Sequence, residues 1–164
     1  MAEQMRVGVG YDIHRLVSDR RLVLGGVEID YSKGLLGHSD GDAVLHAVMD
    51  ALLGAAAMGD IGEMFPDTDP AYRDVDSRQL LTTTVERIHQ AGFRPGNLDL
   101  IIHAERPNLS EHKSAMAECI AGLLKIPLDR VNVKAKTNEG LGPVGARDGI
   151  ACTAVVTLFS GPSD

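Results

Sequence analysis

A chain of 164 residues with a net charge of −7 has room for one core and is too acidic to hold nucleic acid or an anionic membrane electrostatically. Hydrophobic residues at 44% and charged residues at 24% exclude global disorder, and with aromatics at 4% the core must be Ala, Val, Leu, Ile and Met. Cys119 and Cys152 lack CxxC spacing and sit among small apolar residues, which reads as inert thiols in a reduced, cytoplasmic setting. No run reaches the ~18 apolar residues of a membrane span, and MAEQMRVGVG lacks the apolar segment of a signal peptide. A processed plastid form remains compatible with this composition.

MRVGVGYDIH predicts an opening strand, with Val7 and Val9 alternating against smaller neighbours. RLVLGGVEI reads as a hairpin about Gly25-Gly26, and YSKGLLGHSDGD as a loop whose Ser39, Asp40 and Asp42 can each cap a helix. A helix is expected from Ala43 to Met58, ended near Gly59 and buried on most sides. Asp42, His46 and Asp50, four apart, share its one polar face. MFPDTDPAYRDVDS is a long loop broken by Pro66 and Pro70, followed by a helix from about Ser77 to Ala91. LDLIIHAE is a strand; a third helix runs from about Ser110 to Lys125. VNVKAK alternates as a strand, TNEGLGPVGARDG is a glycine-rich loop, and IACTAVVTLF is a last apolar strand. The fold class is α+β: a single unit over 1–164, with a mixed four-stranded sheet, helices packed on one face and a small hairpin. Apolar residues on both sides of the strands require the sheet's other face to be covered, and self-association does so most simply.

Asp12-Ile13-His14 ends the first strand, and residues two apart on an extended chain point the same way, so a carboxylate and an imidazole converge. His46 stands on an otherwise apolar helix. Alone it would be a core histidine satisfied by a carbonyl or by Asp50 one turn away. Together with Asp12 and His14 it makes a three-ligand set of the kind that holds zinc with a fourth position open, and either Asp50 or Asp42 is placed to orient it. GVGYDI begins like a dinucleotide fingerprint, but Ile13 stands where the third glycine belongs and no helix follows. Gly8 and Gly10 instead read as sites of close backbone approach. The chain has no GK[ST] and no H-x-E with a later C-x-x-C, which excludes a P-loop and a zinc deaminase.

VGVGYDIHRL, the long block GLLGHSDGDAVLHAVMDALLGAAAMGDIGEMFPDTDP, and VKAKTNEGLG with GIACTAV together resemble the 2-C-methyl-D-erythritol 2,4-cyclodiphosphate synthase family over nearly the whole chain. The resemblance implies a homotrimer with active sites shared between neighbouring subunits. It implies Asp12, His14 and His46 as ligands of zinc or another divalent ion, and Glu139 as ligand of a second ion, magnesium or manganese. His38 and Ser39 match a mobile loop closing over a substrate phosphate. Asp60, Ile61 and Gly62 match contacts to the methylerythritol hydroxyls, and Phe65 to Asp69 the same lining loop. Ala104, Asn108, Leu109 and Ser110 match the cytidine wall, supplied by a neighbouring subunit. Lys136, Thr137, Asn138 and Glu139 match nucleotide and diphosphate contacts, with His38, Thr137 and Glu139 in catalytic positions.

The implied substrate is a phosphorylated cytidine compound, 4-diphosphocytidyl-2-C-methyl-D-erythritol 2-phosphate, cyclised with loss of CMP in the non-mevalonate route to isoprenoid precursors. Four positions depart from the pattern: Asn108 stands where a lysine is common, Lys136 and Asn138 where threonines are, and Ala146 where many relatives carry an arginine lining a central cavity. If GPVGARDG is extended, Arg147 points away from that cavity. A non-catalytic trimer that senses an isoprenoid diphosphate or a nucleotide is the alternative, and the complete ligand set argues against it.

Overall fold

The first strand, β1 (Gln4–Ser18), opens the computed structural model, which describes residues 4–160; the ends of the 1–164 unit lie outside the described residues. Its alternation gives two unlike faces. Met5, Val7, Val9, Tyr11 and Ile13 are exposed on one, while Gly8, Gly10 and Leu16 are buried on the other. The glycines have the expected use. A Cβ on Gly8 would collide with the Ala51 carbonyl oxygen and one on Gly10 with that of Ala47, so α1 (Ala43–Ala56) lies directly on the strand.

β2 (Leu22–Leu24) and β3 (Val27–Ile29) form the predicted hairpin, with Gly25 and Gly26 both at positive φ as its tight turn requires. β4 (Lys33–Leu35) pairs antiparallel with the end of β1, Leu16 facing Leu35. After α1 come α2 (Ile61–Met64), α3 (Ser77–Gln90), β5 (Phe93–His103), α4 (Lys113–Leu124), β6 (Val131–Lys136), α5 (Gly142–Gly145) and β7 (Gly149–Ser160). The mixed sheet runs β4-β1-β7-β5-β6; its β5–β6 pair is parallel and the others antiparallel.

Three expectations need correction. The sheet has five strands, not four, because β1 runs on past His14 and recruits Lys33–Leu35, too short and glycine-broken to show alternation. α1 stops at Ala57, which takes the left-handed conformation (φ 57) and donates its N–H to Gly54 and Leu53, two residues before Gly59. The glycine-rich segment is not extended. It turns through α5, Ala146 closes that turn at φ −76 and Arg147 is left-handed at φ 64, so strand alternation cannot assign their directions.

The three longer helices and the sheet enclose one apolar cluster, in which α1 contributes residues on nearly all sides. No helix among the described residues is long and apolar enough to cross a membrane.

Candidate metal centre

Asp12 and His14 lie on the face of β1 that meets α1, and His46 projects from the first turns of α1, so the glycine-mediated contact places three ligand-type side chains together. Asp12 Oδ2 is 2.8 Å from His14 Nε2 and 3.0 Å from His46 Nδ1, and the two ring nitrogens are 3.2 Å apart. His14 Nδ1 is 2.7 Å from the Leu36 carbonyl oxygen. A carbonyl only accepts, so that nitrogen carries the proton and the neutral ring turns a bare Nε2 toward Asp12. A carboxylate oxygen and two imidazole nitrogens facing one another need a cation among them, and one carboxylate with two imidazoles suits a divalent ion such as zinc.

Electrostatics agree with that reading. Burial works to raise Asp12, but the imidazoles of His14 and then His46 beside it hold it well below the usual carboxylate range. Burial likewise opposes the charged form of His14, yet Asp12 beside it and the Leu36 carbonyl raise its pKa.

Neither Asp42 nor Asp50 orients His46, contrary to expectation. The Asp42 carboxylate accepts four backbone N–H groups, those of Val44 and Leu45 at the start of α1 and of Gly25 and Gly26 in the hairpin turn. Asp50 accepts the Ile61 N–H at 2.8 Å, tying α2 to α1. Two hydroxyls do the work instead: Ser39 Oγ and Ser77 Oγ each lie 3.0 Å from His46 Nε2. Ser77 escaped the sequence reading because a serine at a helix start signals a cap.

The centre opens into a cavity of about 400 Å³ lined by Asp12, His14, His46, His38, Ser39, Ile61, Gly62 and Phe65 among others. Met49, Tyr72 and Leu80, unassigned from sequence, also line it, and the Phe65 and Tyr72 rings meet edge-on at 5.2 Å. The loop bearing His38 and Ser39 is fastened at its backbone. Arg20, also missed, donates to the Ser39 carbonyl at 2.6 Å and the Gly37 carbonyl at 3.3 Å, and the Asp74 N–H donates to the His38 carbonyl at 2.8 Å. Asp60 and Asp69 are absent from the lining residues. Asp60 caps α2 through Glu63 N–H, and Asp69 caps the turn at Pro70–Tyr72 while its carbonyl lies 3.4 Å from His38 Nε2.

The remaining predicted residues gather elsewhere, at the C-terminal ends of β5 and β6. The Ala104 N–H donates to the Lys136 carbonyl at 2.9 Å, and the Asn138 N–H to the Glu105 carboxylate at 3.1 Å. Asn108 accepts the Ser110 N–H, and Thr137 Oγ1 accepts the Glu139 N–H at 3.4 Å. Ala104 and Leu109 are buried, while Asn108, Ser110, Lys136, Thr137 and Glu139 are exposed. β1 and β6 are separated by β7 and β5, three strand spacings or roughly 14 Å. Within one chain, the Glu139 group and the Asp12 group are thus two separate clusters.

An α+β sheet protein with three ligand-type side chains that could hold a divalent ion, beside a ligand-sized cavity, is the class that this fold and site define. The chain belongs to the YgbB family, whose model matches residues 5–159. Relatives named 2-C-methyl-D-erythritol 2,4-cyclodiphosphate synthase from Trichlorobacter lovleyi and Gloeobacter violaceus are each 56% identical over 155 residues, covering 94% of this chain and 99% and 95% of theirs. A solved structure of a synthase of that name in a CDP-bound form is 40% identical, with a TM-score of 0.86 over 93% of this chain and 99% of its own. The bifunctional IspDF of Campylobacter jejuni gives a TM-score of 0.94 at 39% identity, but this chain spans 43% of that longer protein.

Proposed function

We propose that this chain converts 4-diphosphocytidyl-2-C-methyl-D-erythritol 2-phosphate to 2-C-methyl-D-erythritol 2,4-cyclodiphosphate and CMP. The observation that carries the reading is the convergence of Asp12, His14 and His46 in the lining of a cavity in a chain of this family. Zinc or another divalent ion held there supplies positive charge that holds and polarises phosphate oxygens. Glu139 would hold magnesium or manganese for the same kind of task at the diphosphate.

In the reaction, an oxygen of the 2-phosphate attacks the β-phosphorus; the bond from that phosphorus to the oxygen bridging it to the α-phosphorus breaks, and CMP leaves with the electron pair. Both partners are anionic, so the protein's task is placement and charge compensation, and no protein nucleophile is required. Asp12, His14 and His46 would hold the ion. His38 and Ser39, on the loop fastened by Arg20, face the phosphate. Ile61 and Gly62 line the polyol side with Asp60 adjacent, while Phe65 and the loop to Asp69 close it from water. Ala104, Asn108, Leu109 and Ser110 form the cytidine wall, and Lys136, Thr137, Asn138 and Glu139 hold the nucleotide phosphates. The two free thiols, Cys119 and Cys152, suit a reduced, cytoplasmic setting.

The two clusters become halves of one site in a homotrimer, one chain's Asp12 group facing a neighbour's Glu139 group. Support comes from the uncovered apolar face of the sheet, where Met5, Val7, Val9, Tyr11 and Ile13 of β1 and Val155 of β7 are 40–67% exposed. CMP release from the cytidylylated 2-phosphate that stops on chelation and returns with divalent metal is the expected result. Release indifferent to chelation, or none with metals supplied, refutes the proposal.

A further inference from the structure

Ser77 opens α3 directly after its cap Asp76 and is fully buried, yet its hydroxyl is not spent on its own helix. It lies 2.5 Å from Asp40 Oδ1 and 3.0 Å from His46 Nε2. The direction of these bonds follows from what each partner can do. The Asp40 carboxylate only accepts; it also takes the Ser77 N–H on Oδ2 at 3.0 Å and the Asp42 N–H on Oδ1 at 3.1 Å. The single hydroxyl proton of Ser77 therefore goes to Asp40, leaving lone pairs toward His46. His46 Nε2 must then carry the ring proton, and its Nδ1 stands bare toward Asp12 Oδ2 and His14 Nε2.

We propose that Asp40 and Ser77 form a positioning pair that fixes the ring orientation and tautomer of His46, presenting Nδ1 to the metal ion. The inference rests on the function proposed above only for its consequence in turnover; the metal-binding part stands on the cluster itself. Ser39 Oγ also reaches His46 Nε2, but the two hydroxyls differ in what else they can do. Ser39 lines the cavity, on the loop assigned above to the substrate phosphate. Ser77 is not among the lining residues, and Asp40 holds it at both its N–H and its hydroxyl. Ser77 thus keeps the ligand ring in place while Ser39 turns toward a phosphate. A carboxylate acting through an intermediate group on a ligating imidazole raises the ligand's basicity as well as orienting it.

The test is competitive titration of zinc against a chromophoric chelator in the full-length protein, for wild type, Ser77→Ala and Asp40→Asn. A long-range proton–nitrogen correlation of the zinc-loaded wild type and the thermal midpoint of each metal-free protein accompany it. Zinc affinity should fall ~10–100-fold in Ser77→Ala. It should also fall in the isosteric Asp40→Asn, because any amide orientation turns an N–H toward a group that already donates. The wild-type His46 signal should show protonated Nε2 and metal-bound Nδ1. Should Ser77→Ala fail to fold, Asp40→Asn and the wild-type spectrum decide. Unchanged zinc affinity in the folded variants, or metal on Nε2, overturns the pair. Unchanged affinity alongside normal wild-type CMP release sinks this inference alone; a wild type that binds zinc as described but releases no CMP sinks only the function.

Discussion

Replacing Gly10 with alanine would set a methyl group into the Ala47 carbonyl and within 3 Å of the Ala51 nitrogen, both backbone atoms of α1 that no rotamer change can move. Restoring ordinary contact distances lifts the helix from β1 by roughly 1 Å. Overpacking of this kind costs ~1–3 kcal/mol in stability. The larger effect falls on the metal centre, since Asp12 and His14 ride on the strand and His46 on the helix. Metal–ligand bonds tolerate only about 0.2 Å, so the lift removes His46 from the coordination sphere of an ion held by the other two. Zinc affinity should therefore drop at least ~10-fold, as for a ligand that has lost its orientation. Chelator competition and thermal melting of the metal-free protein measure the two effects separately. Gly122→Ala is the control. A Cβ there meets nothing within 4 Å, and Gly to Ala in a helix adds roughly 0.5–1 kcal/mol of stability, with zinc binding unaltered. A Gly10→Ala protein that binds zinc like wild type would refute the claim that this contact builds the site.

Changing His46 to alanine should remove most bound zinc and leave the far-ultraviolet circular dichroism spectrum in place, whereas stoichiometric zinc with collapsed stability would make His46 a core residue. Zinc binding must expel the proton that Asp12 stabilises on His14. Apparent affinity should then rise about tenfold per pH unit below the raised His14 pKa and level off above it, as pH-resolved titration would show. In the metal-free protein the same raised pKa means that the His14 contribution to stability is fully present below pH 6.5 and is lost as pH climbs through the folded value. The lowered Asp12 contributes in the opposite sense, present above pH 3.8 and lost as pH falls through its folded value, so melting curves of metal-free protein should show both slopes. Sedimentation equilibrium should return a trimer, and replacing the exposed Val9 with aspartate should dissociate it and abolish turnover together; a fully active monomer would contradict the shared site.

What could be read without coordinates was whatever depends on local period or local chemistry. The alternation of β1, the Gly25-Gly26 turn and the apolar circumference of α1 are of that kind, and so is the pairing of Asp12 with His14 two residues on. His46 joined them because an imidazole on an apolar helix needs a reason. The unread parts depend on distant pairing. β4 exists only because β1 overruns His14, and three residues containing a glycine carry no period of their own. Ser77 meets a ring 31 positions upstream, and Arg20 meets carbonyls 17 and 19 positions downstream. The Asp42 and Asp50 assignments failed because one helical face has several claimants, and backbone N–H groups at the hairpin and at α2 took both carboxylates first.

Phosphorus NMR of the reaction tests the central claim most directly. With divalent metal supplied, the substrate signals should give way to those of CMP and of one pair of mutually coupled phosphorus nuclei from the cyclic diphosphate, in equal molar amounts, and chelation of the protein beforehand should leave the substrate unchanged. Appearance of inorganic phosphate or a linear diphosphate in place of the coupled cyclic pair would contradict the account.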